Sequence, residues 1–461
     1  MDTIFSRRTM LKTSACGFGY LAFAGISSAA AERESTNPLL PKSSHFPAKA
    51  KRVIFLCMEG APSHVDTFDH KPKLTTDNGK SFNRGRGATL LGSPWKFAQH
   101  GKSGMWISEL FPELAKQADD LCILNGMHTD VPAHPQAFTA MHTGMSQFKR
   151  PSIGAWALYG LGTQNENLPG FVTINPPSNN GGPSNYGSSF LPAIYQGTPI
   201  NMGGGGGRFG GGVSQGVSNI ANPRQKGPAQ RMQLDFTQEL NRNALERGEE
   251  NPGIDGLIES YELAFRMQKD LPALMDISKE TQATQKLYGV DSQASSGFGR
   301  QCLLARRLAE AGVRFIEISS RGWDHHRNLK DSMERNCGAI DKPIAGLIAD
   351  LKQRDMLKDT LIIWGGEFGR TPYAQSGDGR DHNHKGYTMW MAGGGVKGGL
   401  NYGKTDEYGY EAIDGKIHTH DWHATVLHLM GLDHTKLTYR YAGRDFRLTD
   451  VKGNVVKEIM G

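Results

Sequence analysis

Carboxylates and imidazoles recur at the ends of apolar runs in this chain, and that placement is its first sign of chemistry. Glu59, Ser63, His64, Asp66 and Asp69 follow RVIFLCM, and Asp324, His325 and His326 close FIEISSRGWDHH. Glu367 closes LIIWGGEFGR, while Asp381, His382 and His384 precede YTMWMAGGG. HTHDWHATVLHLMG adds His418, His420, Asp421 and His423 where a loop enters a helix, with Asp421 or Thr419 suited to cap it. Carboxylates mixed with imidazoles, without thiolates, suit one or two divalent ions of Zn, Mn or Ca rather than an iron–sulfur or blue-copper centre.

The candidate ligands are therefore Glu59, Asp66, Asp324, His326, Glu367, His382, His384, His420, Asp421 and His423. Asp324, Glu367 and one of His382 or His384 are expected to converge on a common ion. His325 is expected to point the other way, and Asp66 and Asp69 have the alternative of pairing with Lys71 or Lys73. His45, His70, His100, His428 and His434 read as ordinary hydrogen-bonded residues. Ser63 lacks the strand, turn and helix of a nucleophile elbow.

Such residues need a scaffold that brings them to one edge. KRVIFLCMEG, DLCILNGMH, VRFIEISS, DTLIIWGG and YTMWMAGGG are apolar runs that break at glycine or polar residues, as strands covered on both faces do. Helical patterns lie between them in ELFPELAKQADD, FGRQCLLARRLAEAG and NCGAIDKPIAGLIADLKQRDM. This alternation predicts an α/β fold with a mostly parallel sheet and helices on both faces, forming one domain over about 45–461. A Gly-, Asn-, Ser- and Pro-rich stretch at about 176–228 reads as a flexible insertion, and 232–289 as a helical cap. The glycines are not a phosphate-binding P-loop, because no GK[ST] follows them.

With 461 residues, 38% of them hydrophobic, the chain can build a full core, and a net charge of +6 without basic–aromatic runs gives no nucleic-acid surface. Arg7 and Arg8 in SRRTMLK precede a short apolar, glycine-bearing stretch, which reads as a twin-arginine signal peptide over about 1–31 and not as a stable membrane span. Its partner is the twin-arginine export machinery, and its destination the periplasm or the extracellular cell envelope. Cys57, Cys122, Cys302 and Cys337 show no CxxC spacing and read as buried small hydrophobes. Cys16 belongs to the signal.

The motifs MEGAPSHVDTFDHKPKL, AHPQAFTAMHTG, GWDHHRN, GGEFGRTP, GRDHNHKGYTMWMAGGGVKGG, HDWHATVLHLMGLDH and YAGRDFRLTD resemble those of an exported domain-of-unknown-function family, DUF 1501. That family is similar to the sulfatase and alkaline phosphatase superfamily. The resemblance implies a three-layer α/β/α sandwich, alkaline-phosphatase-like, with metal at the carboxyl ends of the strands. It places His134 at the head of a helix ending in Thr143-Gly144, where sulfatases carry a Cys or Ser nucleophile. Histidine cannot become formylglycine, so His134 is expected to act as base, ligand or nucleophile. Arg380 and Lys385 would favour an anionic ester. The resemblance thus implies an exported, metal-dependent hydrolase of sulfate or phosphate esters, with sulfated or phosphorylated carbohydrate as one substrate class. The alternative is a catalytically inert metal- or glycan-binding protein of the cell envelope that kept the fold.

Overall fold

The computed structural model describes residues 37–84, 87–202, 227–246 and 252–461, so the expected signal peptide and the glycine run at 203–226 lie outside the described residues. Its main sheet has nine strands: β1 (Arg52–Met58), β2 (Leu121–His128), β3 (Phe171–Ile174), β4 (Thr198–Ile200), β5 (Phe315–Ser320), β6 (Thr360–Gly365), β7 (Tyr387–Ala392), β8 (Leu400–Tyr402) and β9 (Ile417–His418). They lie in the order β8-β2-β7-β6-β1-β5-β3-β4, with β9 also paired to β2. The principal helices are α1 (His134–Thr143), α2 (Ile153–Leu161), α3 (Pro228–Glu246), α4 (Pro252–Met275), α5 (Ser296–Glu310), α6 (Leu329–Gln353) and α7 (Thr419–Leu429).

β1 carries apolar side chains on both faces, and Val53 to Met58 are fully buried, so both faces need cover. On one face Phe55 meets His142 of α1 and Trp422 of α7, with ring centroids 5.9 and 5.8 Å away. On the other, Trp364 of β6 meets Phe68 and Phe111. The turn after Phe111 is held by Asp341 of α6, which accepts from the Glu113 and Leu114 amides at 2.9 and 2.8 Å. The fold is thus an α/β sandwich of the expected class.

β7 runs antiparallel to β2 and β6, while the other pairs in the sheet are parallel. This reversal brings the beginning of β7, not its end, to the carboxyl edge of the parallel strands. Asp381–Lys385 therefore arrive beside the ends of β1, β2 and β6. These residues are not all loop: a two-stranded antiparallel hairpin pairs Gly369–Gln375 with Gly379–Asn383. The stretch that begins at Pro176 also has local order, with turns at Gly182–Asn185 and Ala193–Tyr195 and then the edge strand β4. Helices α3 and α4 occupy 228–246 and 252–275, within and just before the expected cap.

Two glycines permit the close approaches at this edge. A Cβ on Gly379 would lie 2.0 Å from the His326 backbone, so only glycine lets the hairpin reach that loop. Gly60 has φ +108°, and a Cβ there would lie 2.6 Å from the Asp324 amide nitrogen. The Gly60 amide also donates to Glu367 Oε1 at 3.2 Å, and the Trp323 amide to the Glu59 carbonyl at 3.1 Å. Gly60→Ala is expected to lower stability by about 1–3 kcal/mol through backbone strain alone. Denaturant unfolding measures it, and an unchanged midpoint would refute the close packing argued here.

Candidate metal centre

Four donors meet at the carboxyl edge: Nε2 of His134, His326 and His382, and Oδ1 of Asp324. His134 is the first residue of α1, His326 and Asp324 lie in the loop after β5, and His382 stands on the hairpin. Asp324 Oδ1 is 3.1 Å from His134 Nε2, 2.9 Å from His326 Nε2 and 3.5 Å from His382 Nε2. The nitrogens of His326 and His382 are 2.9 Å apart. These separations bracket the roughly 3.3 Å edge of a tetrahedron whose metal–ligand bonds are about 2.0–2.1 Å.

The other ring nitrogen of each histidine is tethered to oxygen. His134 Nδ1 lies 2.5 Å from Glu367 Oε1, His382 Nδ1 lies 2.7 Å from the Pro132 carbonyl, and His326 Nδ1 meets the Gln375 side-chain oxygen. An acceptor at Nδ1 fixes the proton there and leaves Nε2 as a lone pair, the arrangement that orients imidazole ligands toward a metal. His134 Nε2 is buried and makes no aligned hydrogen bond. The set therefore fits a divalent ion. Three nitrogens and one oxygen favour zinc or manganese over calcium, which takes six to eight oxygens.

The electrostatics centre on Asp324. Burial would raise its carboxyl, but the imidazoles of His134 and His382 beside it, and then the Arg370 charge, hold it far below the usual carboxylate range. Burial likewise works against a proton on His134, yet Asp324 and Glu367 together lift it to about 9. Arg370, fully buried, donates to Asp324 Oδ1 at 2.6 Å and to the carbonyls of Gly60 and Ala61. With the imidazoles neutral, as ligation requires, the Asp324 and Glu367 carboxylates and the Arg370 guanidinium leave about one negative charge, which a divalent ion turns into one positive.

Other expected site residues are placed elsewhere. Glu367 stands behind His134 as its acceptor rather than among the four donors, and is 1% exposed. Glu59 is held by Asn180 Nδ2 at 2.9 Å and faces Arg321 at 3.6 Å. Burial raises its carboxyl above the ordinary value. Asp66 is not a ligand here: it is fully buried and receives Arg380 Nε at 2.7 Å and Nη2 at 3.0 Å. Arg380, equally buried, cannot also reach a substrate. A register shift between Arg380 and His382 sends the first side chain inward and the second to Asp324. Lys385 lies over the Tyr410 ring at 5.3 Å, and His384 is outside the four-donor group.

The helix α7 residues are structural. His420 Nε2 meets the Gly144 carbonyl and His423 Nε2 the Met141 carbonyl, each at 2.7 Å. Burial first, then neighbouring imidazole charge, pushes His423 down to about 3. Asp421 accepts from the His418 amide at 2.9 Å in a capping box, so the cap residue is His418 rather than Asp421 or Thr419. His325 turns away as expected, with Nε2 3.3 Å from Asn336. Sequence reasoning passed over Arg370 and Gln375. Their signal was present in GGEFGRTPYAQ, a polar residue near each end of the hairpin's first strand, but nothing in the spacing showed what they would meet.

A family model described as "Protein of unknown function (DUF1501)" matches residues 50–460. The chain belongs to this family. No curated protein matches it. Among solved structures, this family member is similar to a protein in the alkaline phosphatase superfamily from Vibrio parahaemolyticus, with 10% identity, 86% of this chain and 70% of that chain covered, and a TM-score of 0.36. It is also similar to the PsFucS1 sulfatase from Pseudoalteromonas sp., at 14% identity, 83% and 68% coverage and a TM-score of 0.34. For the alkaline phosphatase from the Antarctic bacterium TAB5 the values are 11%, 83%, 98% and 0.32.

Arg380→Ala strands the Asp66 carboxylate in the interior and is expected to cost about 3–5 kcal/mol of stability. Chemical unfolding measures the loss; a variant as stable as the parent would return Arg380 to the role of anion binder.

Proposed function

We propose that this protein is an exported metal-dependent hydrolase of sulfate or phosphate esters, using His134, His326, His382 and Asp324 to hold one divalent ion. The observation that carries this reading is the convergence of three Nδ1-tethered imidazoles on one carboxylate oxygen. The ion would supply Lewis acidity and a more acidic bound water. Glu367 keeps the His134 proton on Nδ1, and Arg370 fixes the oxygen of Asp324 that faces the imidazoles. The Asp324 side chain is 47% exposed, so the substrate reaches the centre from its side. The charge balance favours an anionic ester there. No Ser, Thr or Cys side chain takes part in the hydrogen bonds of the four donors described above, which suits direct attack by water. With both ring nitrogens engaged, His134 serves as a ligand rather than as a nucleophile.

Export rests on Arg7, Arg8 and the apolar stretch after them. Among the described residues no helix is long and apolar enough to cross a membrane.

The four-donor set also favours a second reading. Tetrahedral zinc is saturated by four protein ligands, as in structural sites, and a saturated centre suits a non-catalytic metal- or glycan-binding envelope protein. Assay of the purified full chain on aryl sulfates and aryl phosphates separates the two. The hydrolase reading expects turnover that is lost on chelation, restored by zinc or manganese, and reduced at least 100-fold in His382→Ala. Metal retained in a chain that hydrolyses no member of either series establishes the second reading.

Metal binding should also release a proton, because a cation on His134 Nε2 displaces one held there up to about pH 9. Apparent affinity then rises about tenfold per pH unit between pH 6 and 8 and levels off near 9. Titration calorimetry in buffers of different ionisation enthalpy reads the released proton, and pH-independent affinity would count against His134 as ligand. Glu367→Gln is expected to weaken metal binding about 10–100-fold without removing a ligand, as measured by competition with a chelator.

A further inference from the structure

A second group of donors lies inside the sandwich, between the sheet and α1. Cys57 of β1, His142 of α1 and Glu317 of β5 are buried, and their ligand atoms lie within 4.8 Å of one another. His142 stands eight residues, about 12 Å of helix, beyond His134. Glu317 interrupts the apolar strand FIEIS and is 1% exposed.

Ordinary hydrogen bonding leaves this group incomplete. His142 Nδ1 lies 2.8 Å from the Phe138 carbonyl, which fixes the proton on Nδ1 and turns Nε2 toward Glu317. Nε2 and Glu317 Oε2 are 3.2 Å apart but not aligned for a hydrogen bond, and both atoms are buried without a partner. Strand register places Thr173 directly beside Glu317 and Ser319 beside Cys57. Thr173 Oγ1 and Ser319 Oγ are also buried and unpartnered. A proton on Nε2 would make this a poorly aligned imidazolium–carboxylate pair, whereas a metal ion between the two atoms would satisfy the nitrogen lone pair and the carboxylate oxygen together.

We propose that Cys57, His142 and Glu317 form a second, internal divalent-metal site of zinc type, independent of the centre at the sheet edge. Sulfur, nitrogen and oxygen donors together suit zinc, and a thiolate with a carboxylate neutralises its two charges, as a buried site requires. A tetrahedral shell needs these atoms about 3.3–3.8 Å apart, which leaves at most roughly 1.5 Å for side-chain adjustment. Burial first, then the carboxylates Glu317, Glu367 and Glu59, raise the Cys57 thiol well above its ordinary value, so the thiolate needs a cation beside it. Binding exchanges the S–H bond for a sulfur–metal bond and releases the proton to solvent. The interior position requires loading as the chain folds.

The edge centre contains no sulfur, so spectroscopy distinguishes the two sites. Full-length protein produced in cobalt-supplemented medium should show a thiolate-to-cobalt charge-transfer band in the near ultraviolet. Cys57→Ser should abolish the band and lose one metal equivalent, whereas the double substitution His326→Ala, His382→Ala should retain it. If Cys57→Ser does not fold, X-ray absorption on the zinc-grown double variant supplies the same test, because a sulfur neighbour at about 2.3 Å is expected. A cobalt protein without the band, or zinc without a sulfur neighbour, overturns the proposal and leaves an imidazolium–carboxylate pair. Neither result bears on hydrolysis at the edge centre.

Discussion

Asp324 Oδ1 has Arg370, His326 and His134 within 3.1 Å, and His382 at 3.5 Å. Groups that each carry or can carry positive charge do not crowd one oxygen unless the backbone around them is rigid and each is restrained from behind. The restraints are specific: Glu367 behind His134, Gln375 behind His326 and the Pro132 carbonyl behind His382. Arg370 is fixed in turn by the carbonyls of Gly60 and Ala61. The turn after β1, the loop after β5 and the hairpin therefore form one unit around a single carboxylate.

Buried charge elsewhere at this edge maintains that unit. The bidentate pair of Asp66 and Arg380 anchors the hairpin from below, with Ser63 Oγ donating to Asp66 at 2.5 Å. A register shift two residues later lets the same short strand present His382 to Asp324. Deep pairing and site presentation thus share five residues, and this is why two of the residues expected to bind substrate or metal belong instead to the support.

The described geometry links the edge centre to the interior along one helix. His134 and His142 lie on the same side of α1, two turns apart, with Phe138 between them. Each meets a carboxylate from the sheet, Glu367 at the edge and Glu317 within it. A helix that places imidazoles at positions 134 and 142 gives them a common orientation at two depths.

His134 entered the candidates through the family resemblance of AHPQAFTAMHTG; by itself the sequence determined the fold class, the first-strand position of RVIFLCM, the pattern of imidazoles and carboxylates at strand ends, and the membership of Asp324, His326 and His382 among the candidates. These features are local, because strand runs, glycine breaks and residue type need no knowledge of partners. Tertiary structure alone decided which candidates meet. The direction of β7 brought its first residues to the edge, and the hairpin shift separated Arg380 from His382. Long-range pairing likewise assigned Asp66 to Arg380 and Glu367 to His134, and revealed Arg370, Gln375 and the internal group of Cys57, His142 and Glu317. Cys57 looked like a buried hydrophobe because its neighbours in the chain are apolar, whereas its polar neighbours come from α1 and β5, some 85 and 260 residues away in sequence. Side-chain partnership across such separations depends on strand order and register, which no local pattern encodes.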